Sequence, residues 1–314
     1  MTNAQQWPQI AVVGAGAVGG YFGGMLARAG APVVLIGRKD FVDTVNRDGL
    51  VLERLQGIES IPVKASIEMS GVRDAELILF CVKSLDTVSA AREMAPFVAS
   101  GVTVVCLQNG VDNGERIRET TAIAALPAAV YVAVSVPRPG HIKHVARGDL
   151  IIGQGADKAE QLCRIFTAAE IGCQVSENIT GELWVKLLCN CALNAVSALG
   201  RIRYGEIANS ADAREVMERV VDEVLLVANA SGVTLPGITD RKSGMAAAMG
   251  IATGMAGALS STAQDLNRGR LTEIDSLNGY IARKGTELGV DVPVNHALFT
   301  LVKLAEKESS GPAS

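Results

Sequence analysis

Three polar side chains recur at intervals of four along an otherwise apolar stretch, residues 182–199. They are Lys186, Asn190 and Asn194, and their neighbours are almost all Leu, Cys, Ala and Val. On an α-helix, residues four apart drift by only about 40° per step, so these three form one narrow stripe. A helix that is apolar nearly all round is buried, and buried amides or ammonium groups need polar partners. The pattern therefore indicates a binding surface for a small, oxygen-rich anion.

A plainer interpretation of the same stretch stays open. Glu182 lies four residues before Lys186, so the two could form an ion pair on a solvated helix face. In that case the stripe would face water and not a ligand.

Lys83 and Asn109 each follow a short apolar run that is typical of a buried strand. Ligands of open α/β sheets bind at the carboxyl ends of the strands, so both side chains are candidates for contacting a cofactor or a substrate. Asn109 is also followed by a glycine, and Asn-Gly is an ordinary turn dipeptide. A purely structural role for Asn109 is therefore an alternative.

A second polar segment, residues 261–278, contains Ser261 and Glu273. Glu273 is predicted to lie on an amphipathic helix, where its carboxylate could accept a hydrogen bond from a ligand hydroxyl. Ser261 could instead form a capping box with Gln264. Both side chains can face one ligand only if the helix breaks between them, which Gly269 would permit.

A glycine-rich turn follows the first predicted strand and opens a helix. Its residues are Gly14, Ala15, Gly16, Ala17, Val18 and Gly19. This G-x-G-x-x-G pattern in a strand–turn–helix context is the dinucleotide-binding fingerprint, in which the pyrophosphate meets the helix N-terminus. A second strand follows within about 30 residues, as the fingerprint requires.

The residue after the second strand separates the two nicotinamide dinucleotides. An acidic residue there binds the ribose 2′-hydroxyl of NADH, whereas an arginine accommodates the 2′-phosphate of NADPH. This chain has Arg38 and Lys39 at that place and no carboxylate. NADPH is therefore the predicted cofactor.

The elements that must position these residues are predicted from alternating apolar runs. Strands are expected at residues 10–13, 33–36, 77–82 and 103–107, with helices between them, an antiparallel pair that turns near residues 56–57, and a sheet that ends near residue 155. From residue 179 onward the runs are long and helically spaced. The predicted fold class is α/β: a Rossmann-type, doubly wound, mostly parallel sheet in residues 1–177 and an all-helical domain in residues 178–314.

Composition narrows the class of protein. The chain has 314 residues, 48% of them hydrophobic, and a net charge of −4 without a basic cluster, which argues against nucleic-acid binding. Its six cysteines form no CxxC pair or zinc-type spacing, so no metal site is expected and a reducing compartment is favoured. The first residues lack the basic and apolar regions of a signal peptide, which favours the cytoplasm. An uncharged stretch, residues 244–263, is rich in Ala and Gly, which favours a packed helix or a mobile lid over a membrane span.

These motifs together resemble the ketopantoate reductase (2-dehydropantoate 2-reductase) family over nearly the whole chain. The resemblance rests on GAGAVG, Arg38, VKS at Lys83, QNG at Asn109, W-x-K-x-x-x-N-x-x-x-N at 184–194 and S-x-x-Q-D…R-x-T-E-I-D at 261–275. It implies an N-terminal Rossmann domain, a C-terminal helical domain and a cleft where NADPH reduces ketopantoate to pantoate, a step of pantothenate biosynthesis.

The resemblance also implies a role for each candidate residue. Lys186 would be the general acid, and Glu273 would contact the substrate or the nicotinamide ribose. Lys83 would lie beside the cofactor. The residues that would orient the substrate are Asn109, Asn190, Asn194 and Ser261.

One segment departs from the family pattern. Where many members have Pro-Asn-Gly, this chain has Arg203-Tyr204-Gly205-Glu206. The missing amide leaves a related 2-keto acid open as the substrate. Two other hypotheses compete: a non-catalytic NADPH sensor, which has no use for the Lys186 stripe, and a polyol-phosphate dehydrogenase, which would need more cations than Arg201 and Arg203 near it. A homodimer is plausible, but no motif supports it.

Overall fold

The computed structural model describes residues 6–154 and 158–309. The chain divides into two compact units. The first unit runs up to Gln108 and resumes from Asp112 to Ile179. The second unit comprises Asn109–Val111 and the chain from Thr180 onward. Residues 1–5, part of the stretch on which the expectation of no signal peptide rests, lie outside the described residues.

The strands of the first unit belong to one ten-stranded sheet. They are β1 (Ile10–Val13), β2 (Val33–Ile36), β3 (Leu50–Arg54), β4 (Gly57–Ile61), β5 (Lys64–Ser66), β6 (Leu77–Phe80), β7 (Thr103–Cys106), β8 (Ala125–Arg138), β9 (His141–Gly153) and β10 (Cys173–Ser176). The strand order is β4-β3-β9-β8-β7-β6-β1-β2-β5, and β10 pairs with β9. The pairs β3–β4 and β8–β9 are antiparallel, and the other pairings are parallel.

Helices pack on both faces of this sheet. They are α1 (Ala17–Arg28), α2 (Lys39–Asp48), α3 (Thr87–Met94), α4 (Asn113–Thr121) and α5 (Lys158–Ala168). Along β1, Ile10 and Val12 point into one hydrophobic cluster while Ala11 and Val13 point into another, so both faces are buried. A strand buried on both faces is a nearly continuous apolar run, which is why the sequence pattern was clear here.

The predicted α/β fold class is confirmed, and the antiparallel pair in residues 50–61 is confirmed as β3 and β4. The prediction that the sheet ends near residue 155 is wrong, because β10 adds a parallel strand at Cys173–Ser176. This short strand has two exposed positions and no clear apolar alternation, so its pairing with β9 was not visible in its own residues.

The second unit is built from helices in its described part. They are α6 (Ile179–Gly200), which starts one residue before the unit, α7 (Tyr204–Asn209), α8 (Ala211–Ala230), α9 (Arg241–Gly254), α10 (Ser261–Asn267), α11 (Asn278–Leu288) and α12 (Pro293–Ser309). α6 contributes many residues to the core: Trp184, Leu188 and Leu193 are buried in one hydrophobic cluster with side chains of α8 and α11. By length and composition α6 could also cross a membrane, but 67% of its apolar window is buried inside the protein, as in a core helix.

The uncharged stretch at residues 244–263 forms most of α9. Its buried face consists of small residues, and Ala248 and Ala252 are fully buried. A side chain at Gly244 would lie 2.7 Å from Val221, so glycine permits the close approach of α8 and α9. Residues 244–254 form a packed helix, and the lid stays a prediction.

The cysteines fall into two groups. Cys81, Cys106, Cys189 and Cys191 are free thiols, and the last three are buried. Cys163 of α5 and Cys173 of β10 form a disulfide, which the sequence pattern did not predict.

Candidate active site

The glycine turn in the first unit begins where β1 ends. Gly14 has φ +98°, in the left-handed region, and a Cβ there would lie 2.6 Å from the amide nitrogen of Val82. Only glycine meets both conditions without strain. The Gly14 and Ala15 amides donate to the carbonyl oxygen of Ile36 at 3.0 and 2.8 Å, so the turn is fixed to the end of β2.

Gly16 and Gly19 have different surroundings. A Cβ at Gly19 would overlap the Gly14 carbonyl oxygen, whereas no chain atom lies within 4 Å of the Cβ position at Gly16. α1 starts directly after Gly16 without a side-chain cap and without an acidic residue in its first turn. The packed side at Gly19 and the open side at Gly16, next to an uncapped helix N-terminus, fit a bound pyrophosphate.

Arg38 and Lys39 follow β2, as the sequence predicted, but they are not equivalent. Lys39 Nζ pairs with Asp43 at 2.7 Å within α2. Arg38 is exposed, and its guanidinium makes no hydrogen bond or ion pair with any residue that the structure describes. Arg38 is therefore the cation of this pair that is available for a ribose phosphate.

Lys83 lies in a loop that is clamped on both sides. The Val82 carbonyl accepts a hydrogen bond from Gln108 Nε2 at 3.0 Å, and the Ser84 carbonyl accepts one from Arg116 at 2.9 Å. Gln108 Nε2 also donates to the buried hydroxyl of Thr87 at 2.7 Å. The backbone on both sides of Lys83 is thus held, by the segment that follows β7 and by α4.

Asn109 belongs to the second unit although it follows β7 closely in sequence. Its Nδ2 donates to Glu273 Oε2 at 3.0 Å. The prediction that Glu273 lies on an amphipathic helix is wrong: Glu273 precedes a single 3-10 turn, Ile274–Ser276. The chain does break before it, because α10 ends at Asn267 and Gly269 has φ +61°, as proposed for that glycine.

The segment after Glu273 is anchored to α6. Asn278 is fully buried, and its Nδ2 donates to the Cys191 carbonyl at 3.1 Å. Trp184 of α6 packs edge-on against Tyr280, with ring centroids 5.9 Å apart. These contacts fix the start of α11, and with it the turn after Glu273, against the helix that carries the polar stripe.

The stripe on α6 becomes more buried along the helix. Lys186 and Asn190 are half-buried and Asn194 is 2% exposed. Glu182 forms no ion pair with Lys186 in the described part of the chain, so the plainer interpretation is not supported.

Burial raises the pKa of the Cys189 thiol to about 12, so this cysteine stays protonated near neutral pH and is a poor nucleophile.

Ser261 is an exposed residue in the first turn of α10, and the alternative in which it starts a capping box with Gln264 is wrong. The cap is Ser260, whose Oγ accepts the amide of Ala263 at 3.0 Å. The same hydroxyl donates to the Asn194 carbonyl at 3.0 Å. The helix start that presents Ser261 is therefore tied to the buried end of the stripe.

Two groups of candidate residues result, and each is contained in one unit. The turn group of the first unit consists of Gly14, Ala15, Gly16, Ala17, Val18, Gly19, Arg38 and Lys83. The helix group of the second unit consists of Asn109, Lys186, Asn190, Asn194, Ser261 and Glu273. The turn group offers backbone donors and cations to a phosphate-rich ligand. The helix group offers one ammonium, three amides, a hydroxyl and a carboxylate, which suit an oxygen-rich acid.

Sequence reasoning missed the residues that hold these groups in place. Gln108 and Arg116 clamp the Lys83 loop, Ser260 caps α10, and Tyr204 donates its hydroxyl hydrogen to Asn194 Oδ1 at 2.9 Å. Gln108 and Ser260 are direct neighbours of predicted residues, so adjacency was the available signal. Arg116 carried no signal, and Tyr204 was marked only by its place in the segment that departs from the family pattern.

Comparison with known families finds two matches. Residues 10–157 match the family described as "Ketopantoate reductase PanE/ApbA", and residues 178–306 match "Ketopantoate reductase PanE/ApbA C terminal".

Individual relatives and solved structures are also similar to this chain over nearly its whole length. A 2-dehydropantoate 2-reductase of Halobacterium salinarum is 31% identical over 96% of this chain and 99% of its own length. A PanE/ApbA family ketopantoate reductase from Ralstonia eutropha has a solved structure with TM-score 0.90 and 43% identity, covering 96% of this chain and 99% of that one. D-mandelate dehydrogenase, solved with NADH and anilino(oxo)acetate, is similar in fold with TM-score 0.89 at 24% identity, covering 96% and 98%.

Proposed function

Because this chain belongs to the ketopantoate reductase family, we propose that it reduces 2-dehydropantoate (ketopantoate) to pantoate with NADPH, a step of pantothenate biosynthesis. It is an NADP-dependent oxidoreductase that acts on a keto group. The observation that carries the substrate class is the helix group: one compact unit gathers an ammonium, three amides, a hydroxyl and a carboxylate. We assign cofactor binding to residues 1–177 and substrate binding to residues 178–314, with Asn109 as an exception.

The turn group binds and orients the cofactor. The amides at the N-terminus of α1 would hold the pyrophosphate of bound NADPH, and the open space at Gly16 leaves room for it. Arg38 binds the 2′-phosphate through charge-assisted hydrogen bonds. Lys83, in its clamped loop, would contact the bound cofactor. When bound, NADPH supplies a hydride for the carbonyl carbon of the substrate.

The helix group binds the keto acid and moves the proton. Asn190, Asn194 and Ser261 orient the substrate by hydrogen bonds to its oxygen atoms. As a C–H bond forms at the carbonyl carbon, negative charge develops on the carbonyl oxygen. Lys186 donates a proton from Nζ to that oxygen, which becomes the hydroxyl of pantoate, and Lys186 is reprotonated from water.

Asn109 and Glu273 act as a pair in this proposal. The hydrogen bond from Asn109 Nδ2 to Oε2 orients the Glu273 carboxylate. A carboxylate accepts several hydrogen bonds, so Glu273 can also accept one from a substrate hydroxyl or from the nicotinamide ribose. Ketopantoate carries a hydroxyl group that simpler 2-keto acids lack, so this carboxylate offers a basis for preferring it.

We further infer a cytoplasmic location and a homodimer for this enzyme. The solved ketopantoate reductase of Staphylococcus aureus is described as dimeric; it is 20% identical, with TM-score 0.78. Light scattering on the purified protein tests the dimer: a mass of one chain at micromolar concentration overturns it. Fractionation of the source cells tests the location.

The activity is tested by following NADPH absorbance with ketopantoate and with a panel of 2-keto acids. Ketopantoate is expected to give the highest kcat/KM, and 3,3-dimethyl-2-oxobutanoate, which lacks only the hydroxyl, is the matched control. A higher kcat/KM with another 2-keto acid would identify that acid as the substrate. The proposed reaction, reduction of a keto group with NADPH, would stand. Tight NADPH binding without turnover of any keto acid overturns the enzyme proposal in favour of a sensor.

A further inference from the structure

Tyr204 stands in the segment where the sequence departs from the family pattern. It is the first residue of α7 and 7% exposed, and its hydroxyl group reaches Asn194 of α6. We propose that Tyr204 is a positioning residue that fixes the Asn194 side-chain amide as a hydrogen-bond donor toward the substrate. This inference rests on the proposed function and adds the reason why the departing segment is compatible with it.

The contact defines which end of the amide is engaged. The Tyr204 hydroxyl donates to Asn194 Oδ1 at 2.9 Å. Burial raises the pKa of the Tyr204 phenol, so the hydroxyl keeps its proton and remains a donor over the whole neutral range. A reversed amide would leave this buried hydroxyl without that acceptor, which costs free energy. The observed orientation is therefore the stable one.

The other end of the amide is the group available to a ligand. Asn194 Nδ2 makes no hydrogen bond with any residue that the structure describes. Asn194 is 2% exposed, so only a ligand that enters the buried end of the stripe can meet its Nδ2. With Oδ1 turned toward Tyr204, Asn194 presents its N–H groups to a ligand. The ligand atom that meets it must accept: a carboxylate, carbonyl or hydroxyl oxygen, and not an ammonium group.

The residues on both sides of this hydrogen bond are held in place through their own backbone groups. The amides of Tyr204 and Gly205 donate to the carbonyls of Ala258 and Ala256 at 3.0 and 2.9 Å. A Cβ at Gly205 would lie 2.9 Å from the Ala256 side chain, so the two segments touch closely. On the other side, the Asn194 carbonyl is held by Ser260. With both ends fixed, the tyrosine hydroxyl has little freedom to find another acceptor.

The direct test is the Tyr204→Phe variant, which removes only the hydroxyl. We expect KM for ketopantoate to rise about tenfold, as for one lost buried hydrogen bond, with kcat within about a factor of two. NADPH affinity, measured by fluorescence, is expected to stay unchanged. Tyr21→Phe is the matched control, because Tyr21 is equally buried at 4% but lies on α1 in the first unit. A similar rise of KM in the control overturns the inference.

A double-mutant cycle separates positioning from simple packing. If Tyr204 acts through Asn194, Tyr204→Phe has no further effect on KM in an Asn194→Ala background. An additive effect overturns the inference. Asn194→Asp keeps an acceptor for Tyr204 but replaces the N–H donor with oxygen, so its KM is expected to rise more than tenfold. A KM close to that of the wild type in this variant also overturns it.

A readout without turnover keeps this inference distinct from the proposed function. In protein labelled with nitrogen-15 asparagine, the Asn194 side-chain signals are identified by their loss in Asn194→Ala. We expect one pair of signals in the wild type and a shifted, broadened or doubled pair in Tyr204→Phe. Unchanged signals overturn the inference whichever keto acid is reduced. Absence of turnover in the wild type overturns only the proposed function.

Discussion

The turn group and the helix group are proposed to recognise their ligands in opposite ways. As proposed, the turn group binds its ligand mainly through backbone amides. The chain itself excludes a side chain at Gly14 and Gly19, whereas Gly16 leaves open space for the ligand. In the helix group the recognising atoms are side chains on α6 and on turns packed beside it. The first group should therefore tolerate no added Cβ, whereas the second should tolerate no loss of a functional group.

The supporting contacts differ in the same way. The glycine turn is fixed by backbone hydrogen bonds to Ile36, which depend on no particular side chain. The helix group is fixed by side chains that do not belong to it: Ser260, Asn278 and Tyr204. Reductases that act on different keto acids can share the same dinucleotide, whereas the keto acid differs from one reductase to another. A side-chain framework can be changed residue by residue to suit a new acid.

The largest expected effect tests the helix group at its chemical centre. Lys186→Ala should lower kcat about a thousandfold, because it removes the proton donor. Lys186→Arg keeps the positive charge but holds its proton too tightly to donate it near neutral pH, so kcat should fall similarly while KM changes little. Steady-state kinetics with ketopantoate provide the measurement.

Lys242→Ala is the control for this prediction, since Lys242 is exposed on α9. Its kcat should equal that of the wild type. A Lys186→Arg enzyme with kcat near the wild-type value would contradict the assignment, because a guanidinium cannot replace a proton donor.

The next effect tests the turn group by adding a single methyl group. Gly19→Ala should weaken NADPH binding up to about a hundredfold and also lower the melting temperature, because the new Cβ overlaps the Gly14 carbonyl. Gly16→Ala should weaken NADPH binding alone, since its Cβ meets no chain atom. NADPH titration and thermal unfolding distinguish the two.

Gly250→Ala serves as the control, because it lies within α9 with open space at its Cβ position. It should leave NADPH binding unchanged. If Gly16→Ala binds NADPH like the wild type, the pyrophosphate does not pass this side of the turn.

A smaller effect is expected for the charge that selects the dinucleotide. Arg38→Ala should raise the KM for NADPH about thirtyfold, because a charge-assisted hydrogen bond to phosphate is lost, and should leave the KM for NADH nearly unchanged. Lys39→Ala should change neither strongly, since Lys39 is paired with Asp43. Equal changes in the KM for NADPH in the two variants would contradict the assignment of the 2′-phosphate to Arg38.

The smallest effect concerns the clamp on the Lys83 loop. Gln108→Ala should lower kcat/KM for NADPH about fivefold and the free energy of unfolding by about 2 kcal/mol, because buried hydrogen bonds to Val82 and Thr87 are lost. Asn46→Ala removes an exposed pair of hydrogen bonds, to Ala65, outside the turn group. This control should lose stability without losing NADPH efficiency; a loss of efficiency in both would assign the Gln108 effect to stability.

The sequence predicted best what repeats with a regular period. The buried strand β1, the glycine turn and the stripe on α6 follow from apolar alternation, glycine spacing and helical spacing. In each case the residues that form the feature are close together in the chain. The fold class and the location of the polar stripe could therefore be predicted from local patterns of residues alone.

The sequence predicted poorly what depends on partners far along the chain. The pairing of β10 with β9 and the contact of Tyr204 with Asn194 join segments that carry no shared pattern. Glu273 was placed on a helix because its neighbours have helical spacing, but the chain forms only a single 3-10 turn there. Capping shows the same limit at short range: Ser260 and Ser261 are chemically equal, and only the backbone geometry decides that Ser260 is the cap.

The placement of Asn109–Val111 in the second unit has a consequence for how such enzymes can diversify. A gene crossover near residue 180 would transplant Lys186, Asn190, Asn194, Ser261 and Glu273 together, but it would leave Asn109 behind in the recipient. Glu273 would then meet the amide of a foreign parent at a distance of 164 positions in the chain. A single crossover near residue 180 therefore does not transfer the complete helix group. Recombination between divergent relatives should favour offspring in which the QNG segment and the carboxylate descend from the same parent.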